Sequence, residues 1–122
     1  MDLGLTPPVI HVVEATGRGP RRLTAGSSPD WSPDSKRIVF ERKDGVYIIG
    51  ADGRERTRLV RVPLKEAIDL NPKWSPDGKS ILYVTGRDPV TVWMMDPEGN
   101  QRTRLFKRKG RFLGLGWDPD RG

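Results

Sequence analysis

The stretch Trp31-Ser32-Pro33-Asp34-Ser35-Lys36 decides the fold of this chain, because it occurs more than once. It recurs as Trp74-Ser75-Pro76-Asp77-Gly78-Lys79 and, in degraded form, as Trp117-Asp118-Pro119-Asp120-Arg121-Gly122. The three tryptophans are spaced 43 residues apart both times. A fixed period of this size indicates a repeat architecture. Within the motif, Pro presets φ, Asp bonds the backbone ahead of it and Gly accepts positive φ, so a turn is predicted.

The rest of the period also repeats, as short apolar runs separated by turn residues. Val46-Tyr47-Ile48-Ile49 precedes an Asp-Gly turn and then an arginine-rich run, and counterparts of this pattern start at Ile10 and Val92. A further apolar run follows each Trp motif, at 37–41 and 80–84. Such runs are typical of β-strands. Each unit is therefore predicted to hold four strands: A with the Trp, B after its turn, C the most apolar, and D with arginines.

These repeats resemble the WD-repeat-like β-propeller repeat of TolB-type proteins, in the Trp-Ser-Pro-Asp-(Gly)-Lys motif, the apolar strands and the Asp-Gly turn. The resemblance implies an all-β propeller of four-stranded antiparallel blades around a channel. It also implies a non-catalytic protein-binding or scaffold module, in the cell envelope and with a lipoprotein partner for TolB itself. The alternative is a propeller gate or substrate domain of a prolyl oligopeptidase-like hydrolase, whose catalytic domain would be separate.

The phase of the repeats predicts how the chain divides. We expect one half-propeller domain, 1–122, with three blade equivalents. Its parts are strands B to D of a shared blade at 1–24, whole blades at 25–60 and 67–107, and a lone strand A at 113–122. Three blades are too few to close a ring. We therefore predict a homodimer that forms six blades through exchanged strands around Trp117; the alternative is half of a longer propeller.

Composition limits the class of protein. The chain has 122 residues, a formal net charge of +6 and no cysteine, which excludes disulfides and thiolate metal sites. No run approaches the roughly 18 apolar residues of a membrane span. The start has no basic and apolar signal-peptide pattern. The expected location is cytoplasmic as written, or the periplasm or cell envelope if an export signal has been removed.

Catalytic chemistry is poorly represented. General acid–base and nucleophilic enzymes need converging His, carboxylate, Ser or Cys groups, and this chain has a single histidine. His11 shares a repeat column with Tyr47 and Trp93, so we expect it to pack in the structure. The motif residues are predicted to build turns and core, and they are Trp31, Asp34, Trp74, Asp77, Trp117 and Asp120. We predict no catalytic, cofactor or metal site.

The candidate binding residues lie in loops that depart from the repeat. A–B and C–D turns are expected at one end of the propeller, and B–C and D–A loops at the other. Loops that differ between repeats often carry function. A protein or peptide is the expected partner, contacted by Lys65, Glu66, Asp69 and Arg87. The alternative is that these four are ordinary solvated loop residues.

Arginine and lysine residues cluster on or just after the D strands. They include Arg21, Arg22, Arg56, Arg58, Arg102 and Arg104. Charges on an outer strand prevent edge-to-edge pairing, which is the interpretation we favour. The alternative is a basic rim for an acidic protein or nucleic acid, although nucleic acid is not the expected partner.

Overall fold

The structure is a computed structural model that describes residues 7–67, 69–109 and 115–118. Its described residues form ten β-strands and no helix. The strands are β1 (Val9–Val12), β2 (Arg21–Ala25), β3 (Ser27–Trp31), β4 (Arg37–Arg42), β5 (Gly45–Gly50), β6 (Thr57–Arg61), β7 (Lys73–Trp74), β8 (Ile81–Thr85), β9 (Val90–Met95) and β10 (Thr103–Arg108). No described helix is therefore long and apolar enough to cross a membrane.

The strands form three antiparallel sheets, each in sequence order. Strands β3 to β6 form one four-stranded sheet, here called the second blade, and β7 to β10 form the third blade. Strands β1 and β2 form a two-stranded sheet, the first blade. The prediction of four-stranded antiparallel blades is confirmed. The strand B that the sequence predicts near Leu3 lies outside the described residues.

The hydrophobic core lies between neighbouring sheets. One cluster joins the first and second blades through Ile10, Leu23 and Phe40. A larger cluster joins the second and third blades through residues such as Val39, Val60, Leu70, Trp74 and Tyr83. Because the second blade is covered on both faces, successive residues of β4 are buried rather than alternate ones. This explains why strands B and C are continuous apolar runs.

The A–B turns are built identically in the two complete blades. In the second blade the Ser32 hydroxyl and the Lys36 backbone N–H donate to Asp34 Oδ1 at 2.5 and 3.0 Å. In the third blade Ser75 and the Lys79 backbone N–H bond Asp77 in the same way, at 2.6 and 2.9 Å. Each carboxylate replaces a backbone acceptor and closes the turn.

The A–B turns of the two complete blades share one residue with positive φ. Ser35, with φ of 63°, occupies the place that Gly78 fills with φ of 74°. Both are left-handed conformations, which glycine adopts without strain and serine does not. Gly99, in the C–D turn of the third blade, also approaches the second blade closely: a Cβ atom there would lie 2.4 Å from the Leu59 carbonyl oxygen.

The last strand of each blade, here called its outer strand (β2, β6 and β10), carries a β-bulge at the same place in the repeat. The pairing shifts between Ile10 and His11 in the first blade, and between Val46 and Tyr47 in the second. In the third blade the irregularity falls between Arg104 and Phe106, opposite Val92 and Trp93. The bulge is thus part of the repeat, and it fixes which arginine faces which strand C residue.

The prediction that His11 packs in the interior is wrong, because its side chain is exposed on β1. The two aromatic residues of its repeat column stack on strand B: Tyr47 on Phe40 and Trp93 on Tyr83. No described residue stacks on His11 in that way. Membership of the repeat column therefore predicts the position on the strand but not burial.

Candidate functional site

The D–A loop between β6 and β7 is held at both ends by buried residues. Val62 and Leu70 are buried in the core between the second and third blades, and Ala67 packs against it. Between them, the Glu66 and Ala67 backbone N–H groups both donate to the Pro63 carbonyl, at 2.8 and 3.0 Å. This single turn fixes a short exposed tip. The fixed ends allow side chains at the tip to face solvent without the loop losing its shape.

The B–C loops meet this D–A loop at one end of the blades. The Gly86 N–H, in the B–C loop of the third blade, donates to the Glu66 carbonyl at 3.0 Å. The Val62 N–H donates to the carbonyl of Asp44, in the B–C loop of the second blade, at 2.9 Å. The structure therefore joins the two loops that carry Glu66 and Arg87. This set of loops is called the loop end below.

All four sequence-predicted contact residues are exposed at the loop end. Lys65, Glu66 and Asp69 lie on the D–A loop, and Arg87 lies on the adjoining B–C loop. Within the described residues they form no ion pair with one another. The site thus presents two cations and two anions in the same neighbourhood.

Sequence reasoning missed Leu64, the most exposed large apolar residue of the described chain at 71%. It lies at the tip of the D–A loop, directly before Lys65 and Glu66. The signal was present, since a leucine in a loop that departs from the repeat has no core position to fill. A protruding apolar side chain among charges resembles the centre of a protein interface.

Sequence reasoning also missed Glu41, whose side chain holds the end of the D–A loop in place. Its side chain is buried on β4, and its two carboxylate oxygens accept the backbone N–H groups of Leu70 and Asn71 at 3.2 and 3.1 Å. The corresponding position in the third blade is Val84. A lone acidic residue in an apolar strand B was the available signal. A buried carboxylate needs such partners to offset the cost of its desolvation.

A cleft of about 340 Å³ opens between the second and third blades beside the loop end. Trp93 stacks on Tyr83 with ring centroids 6.3 Å apart, and its indole N–H donates to the Thr85 hydroxyl at 2.9 Å. Burial raises the pKa of the Tyr83 hydroxyl, and the positive charge of Arg102, which lines the same cleft, partly opposes this rise. Glu66 lines the same cleft. The cleft therefore adjoins the loop end through Glu66.

The B–C loop of the second blade is held by a different network. Asp44 accepts hydrogen bonds from the Tyr47 hydroxyl at 2.8 Å and from Arg58 Nη1 at 2.9 Å. These donors hold the pKa of the Asp44 carboxyl below its ordinary value. Burial, with the neighbouring Asp44 charge, raises the pKa of the Tyr47 hydroxyl. Asp44 is thus a fixed acceptor rather than a free acid or base.

The motif tryptophans differ in their surroundings. Trp74 is buried in the core between the second and third blades, whereas Trp31 is 45% exposed. Trp117 is half-buried and packs with Leu115 against an apolar cluster on β8 and β9. Residues 115–118 are not part of a strand, and Asp120 lies outside the described residues. Pairing of this segment with another chain stays a prediction.

Groups that could hold a metal ion are missing from the part of the chain that the structure describes: no three His, Asp or Glu side chains come together there. Asp34 and Asp77 are occupied as turn acceptors.

Comparison with solved structures identifies the fold. A protein assigned as TolB from Agrobacterium tumefaciens superposes with a TM-score of 0.74 and 25% identity, over 84% of this chain and 42% of that one. The chain has a TolB-like β-propeller fold. A chain of a nidogen/laminin complex follows at TM-score 0.64 and 14% identity, over 81% of this chain and 40% of that one. No protein-family model and no curated protein matches the sequence.

A third propeller match is an oligogalacturonate lyase in complex with manganese, at TM-score 0.60 and 18% identity, over 79% of this chain and 29% of that one. The chain therefore spans less than half the length of each of these structures. At such identities, the nidogen/laminin and lyase matches establish the propeller fold alone.

Proposed function

We propose that this chain is a non-catalytic propeller module that binds a protein or peptide through its loop end. The observation that carries the proposal is the hydrogen bond from the Gly86 N–H to the Glu66 carbonyl, 3.0 Å long, which joins the two loops that depart from the repeat. A surface made from two mutually fixed loops loses little conformational freedom on binding. Such preorganisation favours affinity.

The chemistry of the loop end matches protein recognition. Leu64 supplies an apolar anchor at the tip, and Lys65, Glu66, Asp69 and Arg87 surround it with both signs of charge. Protein interfaces combine a desolvated apolar centre with a polar rim in this manner. A partner with an apolar pocket bordered by acidic and basic groups fits this surface.

The non-catalytic part of the proposal rests on the carboxylates and the histidine. The recurring aspartates serve their own turns. His11 is exposed on β1, and its side chain takes part in none of the hydrogen bonds between described side chains. General acid–base chemistry needs a group within hydrogen-bond reach of a second one that orients it.

Site-specific photocrosslinking tests the proposal. A photoreactive amino acid replaces Lys65 or Arg87 at the loop end, and Lys36 or Lys79 at the opposite, A–B turn end as matched controls. We expect crosslinks to one protein at the loop-end positions only, and loss of that crosslink when Leu64→Ser is added. Equal crosslinking from both ends, or indifference to Leu64→Ser, would sink the proposal.

We also propose that a second copy of the chain completes the ring. Two complete blades and a two-stranded sheet do not close a propeller, for which four blades are the usual minimum. Trp31, on the first-blade side, is 45% exposed although its counterpart Trp74 is buried. Light scattering at micromolar concentration should give twice the chain mass of 13.8 kDa. A stable monomer contradicts this part of the proposal without affecting the loop end.

A further inference from the structure

The three outer strands place an arginine at the same position of each blade. Arg22, Arg58 and Arg104 face His11, Tyr47 and Trp93 across the strand pair, and each follows the same bulge pattern. Because the paired strands repeat this geometry, the surroundings of the three cations can be compared, although the B–C loop is longer in the third blade than in the second.

Three arginines on or next to the first two outer strands have partners within the described chain. On β6, Arg58 pairs with Asp44 at 2.9 Å. Arg56, just before β6, donates to the Thr24 hydroxyl of the first blade at 3.2 Å, and Arg21 on β2 donates to the Ala51 carbonyl. These contacts join neighbouring blades or fix a loop, so the cations have structural partners.

The third outer strand, β10, lacks these partners. The position that Asp44 occupies beside Arg58 is filled by Val90 beside Arg104, and the position of Thr24 is filled by Val60. No described salt bridge involves a cation of β10 or its flanks. Their contacts are to aromatic residues: Arg102 reaches Tyr83, and Arg108 lies 5.5 Å from the Phe106 ring centroid.

Positive charge is thereby concentrated on one edge. The exposed cations of β10 and its flanks are Arg102, Arg104, Lys107, Arg108 and Lys109. The sequence contains no acidic residue between Glu98 and Asp118. One lysine on an edge strand is enough to discourage pairing with a like strand. Five neighbouring cations exceed that need and repel one another.

The strand also offers features that only a polypeptide can use. Within the described chain β10 pairs with β9 alone, so its outer backbone groups are available for hydrogen bonds. Leu105 is 44% exposed at the bulge. We propose that β10 docks an acidic, extended segment of a partner protein, which adds as a strand along this edge. Carboxylates meet Arg104 and Lys107, and an apolar side chain covers Leu105.

Nucleic acid fits the same edge less well. Proteins that hold single strands combine cations with exposed aromatic rings on which bases stack. Phe106 is the aromatic residue of β10, and it is half-buried with Arg108 over its ring. The free strand edge and Leu105 would contribute nothing to phosphate binding. An acidic peptide uses all three features.

Fluorescence anisotropy with a short labelled peptide of alternating Glu and Val tests the inference. The triple variant Lys107→Glu/Arg108→Glu/Lys109→Glu should bind at least about tenfold more weakly, as for charge pairs lost at an interface. The triple variant Lys36→Glu/Arg54→Glu/Lys79→Glu has the same net charge as the first and changes exposed cations at the opposite end of the blades from the loop end. It should bind within about threefold of the parent. Equal losses in both variants overturn the inference.

Two further measurements separate strand addition from simple charge attraction. A peptide of equal charge with prolines in place of valines has lost half of its backbone N–H donors and fits a regular strand poorly, so it should bind more weakly. Leu105→Ser should weaken the Glu-Val peptide but leave binding to a single-stranded oligonucleotide unchanged. Tighter binding of the oligonucleotide than of the peptide would contradict the assignment. Leu105→Ser also serves if the triple variant does not fold.

Discussion

The carboxylate of Asp30 accepts a hydrogen bond of 2.8 Å from the backbone N–H of Trp74. The two residues belong to the A strands of consecutive blades, β3 and β7, which contact each other. Strand β7 is only two residues long, so few ladder bonds hold it. The Asp30 side chain of the second blade therefore helps to position the third blade.

Asp30→Ala should destabilise the protein by about 1–3 kcal/mol, because a partly buried N–H loses its acceptor. Asp30→Asn keeps an oxygen at the same place and should lose about half as much. Urea unfolding measures both values. If the two variants are as stable as the parent, the hydrogen bond does not hold the blades together.

Removing the Glu41 carboxylate should loosen the D–A loop, although Glu41 itself lies on β4 and not in that loop. Glu41→Ala leaves the N–H groups of Leu70 and Asn71 without acceptors, and we expect a loss of about 2–4 kcal/mol. Limited proteolysis should then cut the chain within 63–67 at lower protease concentrations. Glu98→Ala, at an exposed position, is the matched control. Unchanged proteolysis in Glu41→Ala would mean that the loop holds its shape by other contacts.

Stability should fall in acid because of the turn aspartates. The hydrogen bonds from Ser32 and Ser75 hold the pKa values of Asp34 and Asp77 below the ordinary value of 3.8. A carboxyl with a depressed folded-state pKa stabilises the fold above its unfolded pKa, and this contribution is lost as the pH falls through the folded value.

The measurement is the free energy of unfolding in urea between neutral pH and pH below 3.8. The double variant Asp34→Asn/Asp77→Asn should be less stable at neutral pH and should lose less on acidification than the parent. Asp69→Asn removes an exposed carboxylate from the loop end and serves as a control. An acid dependence of the double variant as steep as the parent's would refute the assignment.

The tryptophans of the two complete motifs should differ in how much they contribute to the free energy of unfolding. Trp74→Ala removes a buried ring and should destabilise by about 3–5 kcal/mol. In the dilute, monomeric chain Trp31→Ala should lose less than half of that, since almost half of its side chain is then in water. In the closed dimer proposed above a second copy covers Trp31, so the two losses should become similar. Thermal unfolding of both variants at low and at high protein concentration gives the comparison. A Trp31→Ala loss that stays small at every concentration would contradict closure of the ring by a second copy.

The sequence predicts the blades well because their determinants are local. The Ser32–Asp34 turn and its copy at Ser75–Asp77 involve neighbours in sequence, so their residue types suffice. Burial of Glu41 depends on residues about thirty positions away, which no local pattern contains. At the loop end, the four candidate residues could be named from the sequence and Leu64 left a signal there, whereas the hydrogen bond that joins the two loops links residues about twenty positions apart.

Hydrogen bonds from the second blade to the start of the third blade link the unfolding of the two blades. Glu41 of the second blade holds the chain just before β7, and Asp30 holds β7 itself. The third blade therefore receives part of its first strand's hydrogen bonding from outside its own repeat. A cut at the repeat boundary would separate donors from acceptors, so we expect the second and third blades to unfold as one unit.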